Sequence, residues 1–323
     1  MNSSKQHEDT AKCIVWHENV ESLGSACLAF GVFDGVHRGH QYLISQMLAD
    51  AHERKVASYI VTFDKDPEEV LFPDAPCNKL QSNEERLELL SQSGASGLLV
   101  IPFTKELAAM SPDVFCGTVL GSTFSQCFLH VGADFRYGAR AMGTATTLAT
   151  WAQTQGGELT AHELLDEGGT PVTSTRIRSL LAKGAVGEAK HLLARPFSLV
   201  GTVVRGRGEG RGMGIPTANL NIRYPVAALC EGVYAGYALV GELWYRAAIS
   251  VGAATTFGVE ESSIEPHLLG FDGDIYGQTM RLSFLEYVRP MKTFESSEAL
   301  AAAINDDLAH VHATLPALPV TAN

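Results

Sequence analysis

Hydrophobic patterning changes character partway along the chain, and that change limits the fold more than any other feature. Up to about residue 194, short apolar runs alternate with stretches of helical spacing. Residues 26–33, 56–63, 98–101 and 127–131 are strand-like. Between them, Leu43, Ile44, Met47, Leu48 and Ala51 recur at helical spacing, and residues 83–92 form a second helical stretch. Ser111-Pro112 opens a third, with serine as the cap and proline in the first turn. Strand alternating with helix predicts a parallel α/β sheet. From Phe197 onward, residues 197–204, 232–239, 243–251, 264–271 and 279–288 are strand-like, divided by glycine-rich turns with no helix between them. That texture predicts an antiparallel barrel or sandwich. Leu300, Ile304 and Leu308 then mark a closing helix over 297–312. The expected division is an α/β domain over 12–190 and a β domain over 197–312, with the first ten or so residues and the tail from Leu315 loose.

Composition narrows the class. Of the 323 residues, 46% are hydrophobic and 19% charged, which excludes a globally disordered chain. The net charge of -12 makes a broad duplex-binding surface a poor expectation. No apolar run approaches the roughly 18 residues of a membrane helix. The polar start, MNSSKQHEDTAK, has no apolar stretch of the secretory kind. Cysteines at 13, 27, 77, 116, 127 and 230 form no CxxC pair, as expected of buried free thiols in a reducing compartment. These features predict a cytoplasmic protein whose partners are small molecules, with no nucleic acid and no membrane. They leave the oligomeric state open.

The segment Phe30-Gly31-Val32-Phe33-Asp34-Gly35-Val36-His37-Arg38-Gly39-His40 follows a strand and opens a helix. Gly35 and Gly39 let backbone approach a ligand closely. The helix N-terminus offers N–H groups and partial positive charge to an anion. His37 and His40, three apart, share one face of the first turn and can stabilise charge that develops when a phosphoanhydride breaks. Incidental histidines or a metal pair are the rival readings; a metal pair lacks an obvious third ligand nearby. Farther on, Thr173 or Ser174 can cap a helix that brings Arg178 one turn later, a receptor for phosphates or simply a capped helix with surface arginines.

In the β half, residues 205–214 carry five glycines and three arginines ahead of Ile215-Pro216-Thr217-Ala218-Asn219-Leu220. A loop of that composition can wrap a polyphosphate; a short RNA-binding Arg/Gly tract is the rival. Thr217 and Asn219 alternate onto one strand face, which by itself reads best as a plain polar face, though its oxygens are ligands of the kind suited to Mg²⁺.

The HxGH segment resembles the signature of HxGH nucleotidyltransferases. With its extension it resembles the N-terminal module of prokaryotic bifunctional riboflavin kinase/FAD synthetases. Further matches follow in order: Val61-Thr62-Phe63-Asp64, then Gly132-Ala133-Asp134-Phe135-Arg136-Tyr137-Gly138, then Ser174-Thr175-Arg176-Ile177-Arg178. The Pro-Thr-Ala-Asn stretch resembles the motif of riboflavin kinases, and the whole resemblance spans residues 26–312. It implies a Rossmann-like α/β domain followed by an antiparallel Greek-key β-barrel.

The implied chemistry is ATP-dependent phosphorylation of riboflavin to FMN, then adenylylation of FMN to FAD with release of pyrophosphate. The implied catalytic residues are His37, His40, Arg178 and Glu265, the last as base toward the ribityl hydroxyl. The implied binding residues are Gly31, Phe33, Asp34, Gly39, Asp134, Ser174, Thr175 and Gly214. Thr217 and Asn219 would hold the magnesium of MgATP. The chain departs from the pattern at Lys65-Asp66-Pro67, where Pro-His-Pro is usual, and at Ser250, Ala254, Thr255, Pro266 and Gly270. A one-activity paralogue and a non-catalytic flavin or nucleotide sensor are the alternative readings.

Overall fold

The computed structural model describes residues 11–75, 78–205, 218–224, 226–256 and 259–317. The chain divides into two compact units: Met1–Cys77 with Asn83–Ser174, and Asn78–Ser82 with Thr175–Asn323.

In the first unit the elements run β1 (Lys12–Val15), β2 (Ser25–Phe30), α1 (Arg38–Arg54), β3 (Ala57–Phe63), α2 (Pro67–Leu71), α3 (Asn83–Ser91) and β4 (Gly97–Ile101). There follow α4 (Lys105–Ala108), α5 (Pro112–Phe115), α6 (Gly121–Thr123), β5 (Gln126–Gly132), β6 (Arg136–Tyr137), β7 (Gly143–Thr144), α7 (Ala145–Thr154) and β8 (Glu158–His162). The main sheet has the order β1-β4-β3-β2-β5-β8, and every pair is parallel. Alternate residues of each strand face opposite sides. Cys27, Ala29, Ile60 and Leu98 meet Ile44, Met47 and Leu90 on one side. Ala26, Leu28, Val61 and Leu99 meet Phe115, Val119 and Leu148 on the other. Because both faces are covered, the central strands read as unbroken apolar runs rather than alternating ones. The chain order reverses at β2, which has β3 on one side and β5 on the other. Ligands of open α/β sheets bind beyond the strand ends at such a reversal, and β2 runs out there into the Gly31–His40 turn.

The second unit takes up the chain within α8 (Ser174–Leu181), followed by α9 (Val186–Leu193), β9 (Phe197–Arg205), β10 (Ala218–Asn221) and β11 (Gly232–Val240). Then come β12 (Leu243–Thr256), β13 (Val259–Leu268), β14 (Thr279–Arg289) and α10 (Ser297–Thr314). The order is β10-β9-β14-β11-β12-β13, antiparallel throughout. The end strands β10 and β13 lie against each other, so the sheet closes almost fully into a barrel. Helix α10 covers β11 and β12 from outside, with Val311 and Leu308 packed on Ala235 and Ala248. That cover explains why β11 is buried along nearly its whole length.

Several expectations differ from the structure: the strand expected over 264–271 is Val259–Leu268, and Cys13, expected as a buried thiol, is exposed. The strand expected over 26–33 stops at Phe30, because Phe33 takes a positive φ that no strand accommodates. The tail is held at its start: the Tyr237 hydroxyl donates to the Pro316 carbonyl (2.8 Å), and Arg246 donates to the carbonyls of His312 and Leu315.

Candidate active sites

The turn between β2 and α1 is strained. Phe33, Gly35 and Val36 have φ of 60°, 83° and 38°. A β-branched valine in that region is held there only by its surroundings, at a cost of about 1–3 kcal/mol. The turn is closed by the Val36 N–H donating to the Phe33 carbonyl (3.0 Å). It is pinned from β3 and α3 by Arg86, which is 3% exposed. Arg86 donates to the Val32 carbonyl (2.9 Å), the Thr62 hydroxyl (2.8 Å) and the Phe63 carbonyl (2.8 Å). Burial pulls its guanidinium below the usual range, while the carboxylates of Asp66, Asp34, Glu69 and Asp64 oppose that shift.

His37 is the N-cap of α1: its Nδ1 accepts from the His40 backbone N–H (3.3 Å). With Nδ1 accepting, the neutral ring carries its proton on Nε2. The His37 and His40 rings stack with centroids 3.6 Å apart and 16° from parallel. Phe33 meets the His40 ring edge-on at 5.3 Å. Gly39 leaves room for this arrangement: a Cβ there would lie 3.1 Å from the His37 ring and 3.3 Å from the Val172 carbonyl, so one of them would have to give by a few tenths of an ångström. The Phe33 ring lies over Gly31, 3.3 Å from where its Cβ would be. Asp34 is buried, and its carbonyl accepts from the Ser174 hydroxyl (2.8 Å). The first unit therefore brings together Gly31, Phe33, Asp34, His37, Gly39, His40 and Ser174.

Of the remaining expected residues, Thr175 directly follows Ser174 in the chain. Asp134 is exposed on the loop after β5, its Oδ1 2.9 Å from where a Gly132 Cβ would be. Beside it, Phe135 packs on Phe30 (4.9 Å) and stacks on Tyr137 (5.8 Å). Thr175 and Arg178 belong to the second unit, where the Arg178 Nε donates to the Asn78 carbonyl (2.5 Å). Asp66, the departure from the Pro-His-Pro pattern, has a structural job. It caps α2 in a capping box with Glu69, its carboxylate accepting from the Glu68 N–H (2.9 Å).

In the barrel, Glu265 and Asn219 are linked through one hydroxyl. Ser263 Oγ lies 2.9 Å from Glu265 Oε1 and 3.0 Å from Asn219 Oδ1. The single hydroxyl proton serves one of them at a time. Ser263 and Glu265 share a face of β13 because they are two apart; Ser250 of β12 pairs with Glu265. Carboxylate, amide and hydroxyl oxygens make a hard donor set of the kind that Mg²⁺ takes. Gly214 and Thr217 lie outside the described residues. His267, two residues on from Glu265, is buried, and its Nδ1 finds no hydrogen-bond partner among the described residues.

Arg86 and Ser263 are the contributors that sequence reasoning missed. Arg86 stands four residues before Leu90 on the buried stripe of α3, a spacing that could have separated it from the exposed charges around it.

Comparison with known proteins fits this geometry. Residues 20–176 match the family model for FAD synthetase and residues 193–315 that for riboflavin kinase. The chain is 32% identical over 281 residues to the bifunctional riboflavin kinase/FMN adenylyltransferase of Escherichia coli K12, covering 87% of this chain and 90% of that one. It is 33% identical over 304 residues to the protein of that name from Pseudomonas fluorescens, covering 91% and 95%. A crystal structure described as a macrolide-efflux protein from Streptococcus pneumoniae superposes with a TM-score of 0.82 at 28% identity, covering 93% of this chain and 98% of that one. Among the described residues no helix is long and apolar enough to cross a membrane. With both halves matched in order and most of each relative's length covered, this chain belongs to the family of bifunctional riboflavin kinase/FMN adenylyltransferases.

Proposed function

We propose that the chain makes FAD from riboflavin in two ATP-dependent steps, one in each unit. The observation that supports it most is the stacked His37–His40 pair, mounted on a strained turn at the sheet's reversal point. In the first unit, an oxygen of the FMN phosphate attacks the α-phosphorus of ATP, and pyrophosphate leaves from the opposite side. His37, through Nε2–H, and His40 donate to the charge that builds on the phosphate oxygens, with the α1 N-terminus adding its N–H groups. Gly31, Phe33, Asp34, Gly39 and Ser174 shape the nucleotide cradle, and Asp134 stands on the flavin side. Thr175 and Arg178 are assigned phosphate contacts on the Ser-Thr-Arg-Ile-Arg resemblance alone.

In the barrel, Glu265 takes the proton of the riboflavin 5′-hydroxyl as that oxygen attacks the γ-phosphorus of a second ATP, and ADP leaves. Asn219, with Thr217, would hold Mg²⁺, which neutralises phosphate charge when bound; Gly214 belongs to the loop proposed to wrap the polyphosphate. The proposed partners are these small molecules, with no nucleic acid or membrane, and the proposed compartment is the cytoplasm.

The test is to supply riboflavin, ATP and Mg²⁺ in one reaction and FMN, ATP and Mg²⁺ in another, and to separate the flavins by chromatography. FMN followed by FAD in the first, and FAD in the second, is the expected result. Flavin bound but unchanged in both would replace this reading by a sensor.

A further inference from the structure

Remote from the proposed phosphate chemistry along α1, three side chains of the first unit converge. Cys27 of β2, Asp50 of α1 and His130 of β5 each bring one ligand atom within 4.8 Å of the other two. Cys27 and His130 are buried and Asp50 is half-buried. Cys27 Sγ lies 3.5 Å from Asp50 Oδ2, and His130 Nε2 lies 3.1 Å from the same oxygen. In a tetrahedral zinc site, with Zn–S near 2.3 Å and Zn–N or Zn–O near 2.0–2.1 Å, neighbouring ligand atoms stand about 3.3–3.6 Å apart. The two separations from Asp50 Oδ2 are within a few tenths of an ångström of that, and Cys27 Sγ and His130 Nε2 lie within 4.8 Å of each other.

The atoms that would not touch an ion are held as well. His130 Nδ1 lies 2.9 Å from His162 Nε2 on β8. Asp50 Oδ1, the other carboxylate oxygen, accepts from Arg54 Nε (2.7 Å), whose Nη2 donates in turn to Glu158 (2.7 Å). A hydrogen bond on the far nitrogen of the imidazole and on the second carboxylate oxygen is the outer layer that fixes metal ligands in orientation.

We propose that Cys27, Asp50 and His130 form a binding site for a divalent cation of the zinc class, with water in the fourth position. The donor set selects the ion. Thiolate and imidazole suit Zn²⁺ and are poor ligands for Mg²⁺, so this site is chemically distinct from any that holds MgATP. Thiolate and carboxylate together cancel the ion's two charges, and Arg54 stays on the oxygen that the ion does not need. Without an ion, the Cys27 thiol donates to Asp50 Oδ2, His130 Nε2–H donates to the same oxygen, and His162 Nε2–H donates to His130 Nδ1. Binding sends the thiol proton to solvent. His130 then carries its proton on Nδ1, donating to His162 Nε2, and His162 carries its own on Nδ1. The ion would tie together β2, which leads into the Gly31–His40 turn, α1, which leads out of it, and β5.

The test uses the full chain, stripped with a chelator and titrated with Co²⁺ as a spectroscopic probe. One equivalent is expected to give the visible bands of a four-coordinate ion with a thiolate-to-cobalt charge-transfer band, and Zn²⁺ to abolish both. Cys27→Ser is expected to lose the charge-transfer band. Asp50→Asn, at a half-buried position where size is kept, is expected to weaken Co²⁺ binding at least tenfold. His162→Ala, outside the coordination sphere, is expected to weaken it about 10–100-fold. The absence of a thiolate band in the unmodified chain overturns the proposal. So does a band that survives Cys27→Ser, or binding unaffected by Asp50→Asn. None of these readouts depends on flavin or nucleotide turnover.

Discussion

His37 and His40 stack ring on ring, 3.6 Å between centroids, and the backbone N–H of the second is what the Nδ1 of the first accepts. One contact thus sets both the helix start and the tautomer of the catalytic candidate. Gly39, between them, has its Cβ position 3.1 Å from the His37 ring. Gly39→Ala is expected to push that ring out of the stack and slow FMN adenylylation by about 10²–10³-fold, the loss typical when one charge-stabilising donor is misplaced. Riboflavin phosphorylation by the same variant should be unchanged. Rates of FAD and FMN formation, measured separately, check this.

Arg86 binds two carbonyls and a hydroxyl in a region where water cannot replace it. Arg86→Met keeps the apolar stem and strands those oxygens. A loss of about 3–5 kcal/mol is expected, as for other broken buried charge networks. Arg86→Lys should recover only part of it, since a single ammonium cannot span Val32, Thr62 and Phe63 together. Urea unfolding of the full chain measures both.

The Ser263 hydroxyl lies within hydrogen-bond reach of both Glu265 and Asn219. Ser263→Ala removes that tether and leaves both partners in place. The expected outcome is a roughly tenfold fall in kcat for riboflavin phosphorylation, far short of the 10²–10⁴-fold expected from losing a general base. Steady-state kinetics on Ser263→Ala beside Glu265→Gln separates the two roles; equal losses would contradict the assignment of Glu265 as base.

His267 gives the barrel a pH dependence. Burial holds its imidazole below the usual range, and the Asp307 carboxylate offsets only part of that. The unfolded chain therefore takes up this proton at a higher pH than the folded one. This contribution is full above about pH 6.5 and is lost as pH falls from there through the depressed folded value, at up to about 1.4 kcal/mol per pH unit. His267→Gln is expected to flatten that slope between about pH 7 and about pH 5, which urea midpoints across the range would show.

Much of this was legible in the sequence, and the exceptions have physical causes. The strand–helix alternation, the strand texture after Phe197 and the Ser111 cap all appear where the patterning placed them. The edge strands β1 and β8 were not anticipated. At four and five residues, with mostly exposed side chains, they are weak signals: β8 has no apolar run, and the run in β1, Cys13-Ile14-Val15, is too short to mark a strand. Arg86 looked like one more charge on an acidic helix, because burial of a charged residue is a tertiary fact. The His37–His40 face was readable from spacing, but the stacking and the capping were not. Cys27, Asp50 and His130 are separated by 23 and 80 residues, and only the parallel order of β2 and β5 under α1 brings them together.

The most direct measurement compares the flavin products of His37→Ala and Glu265→Gln under ATP and Mg²⁺. The account predicts that His37→Ala converts riboflavin to FMN and stops. It predicts that Glu265→Gln leaves riboflavin unchanged yet converts supplied FMN to FAD. If either variant, folded as the parent, loses both conversions or keeps both, the assignment of one activity to each unit is contradicted.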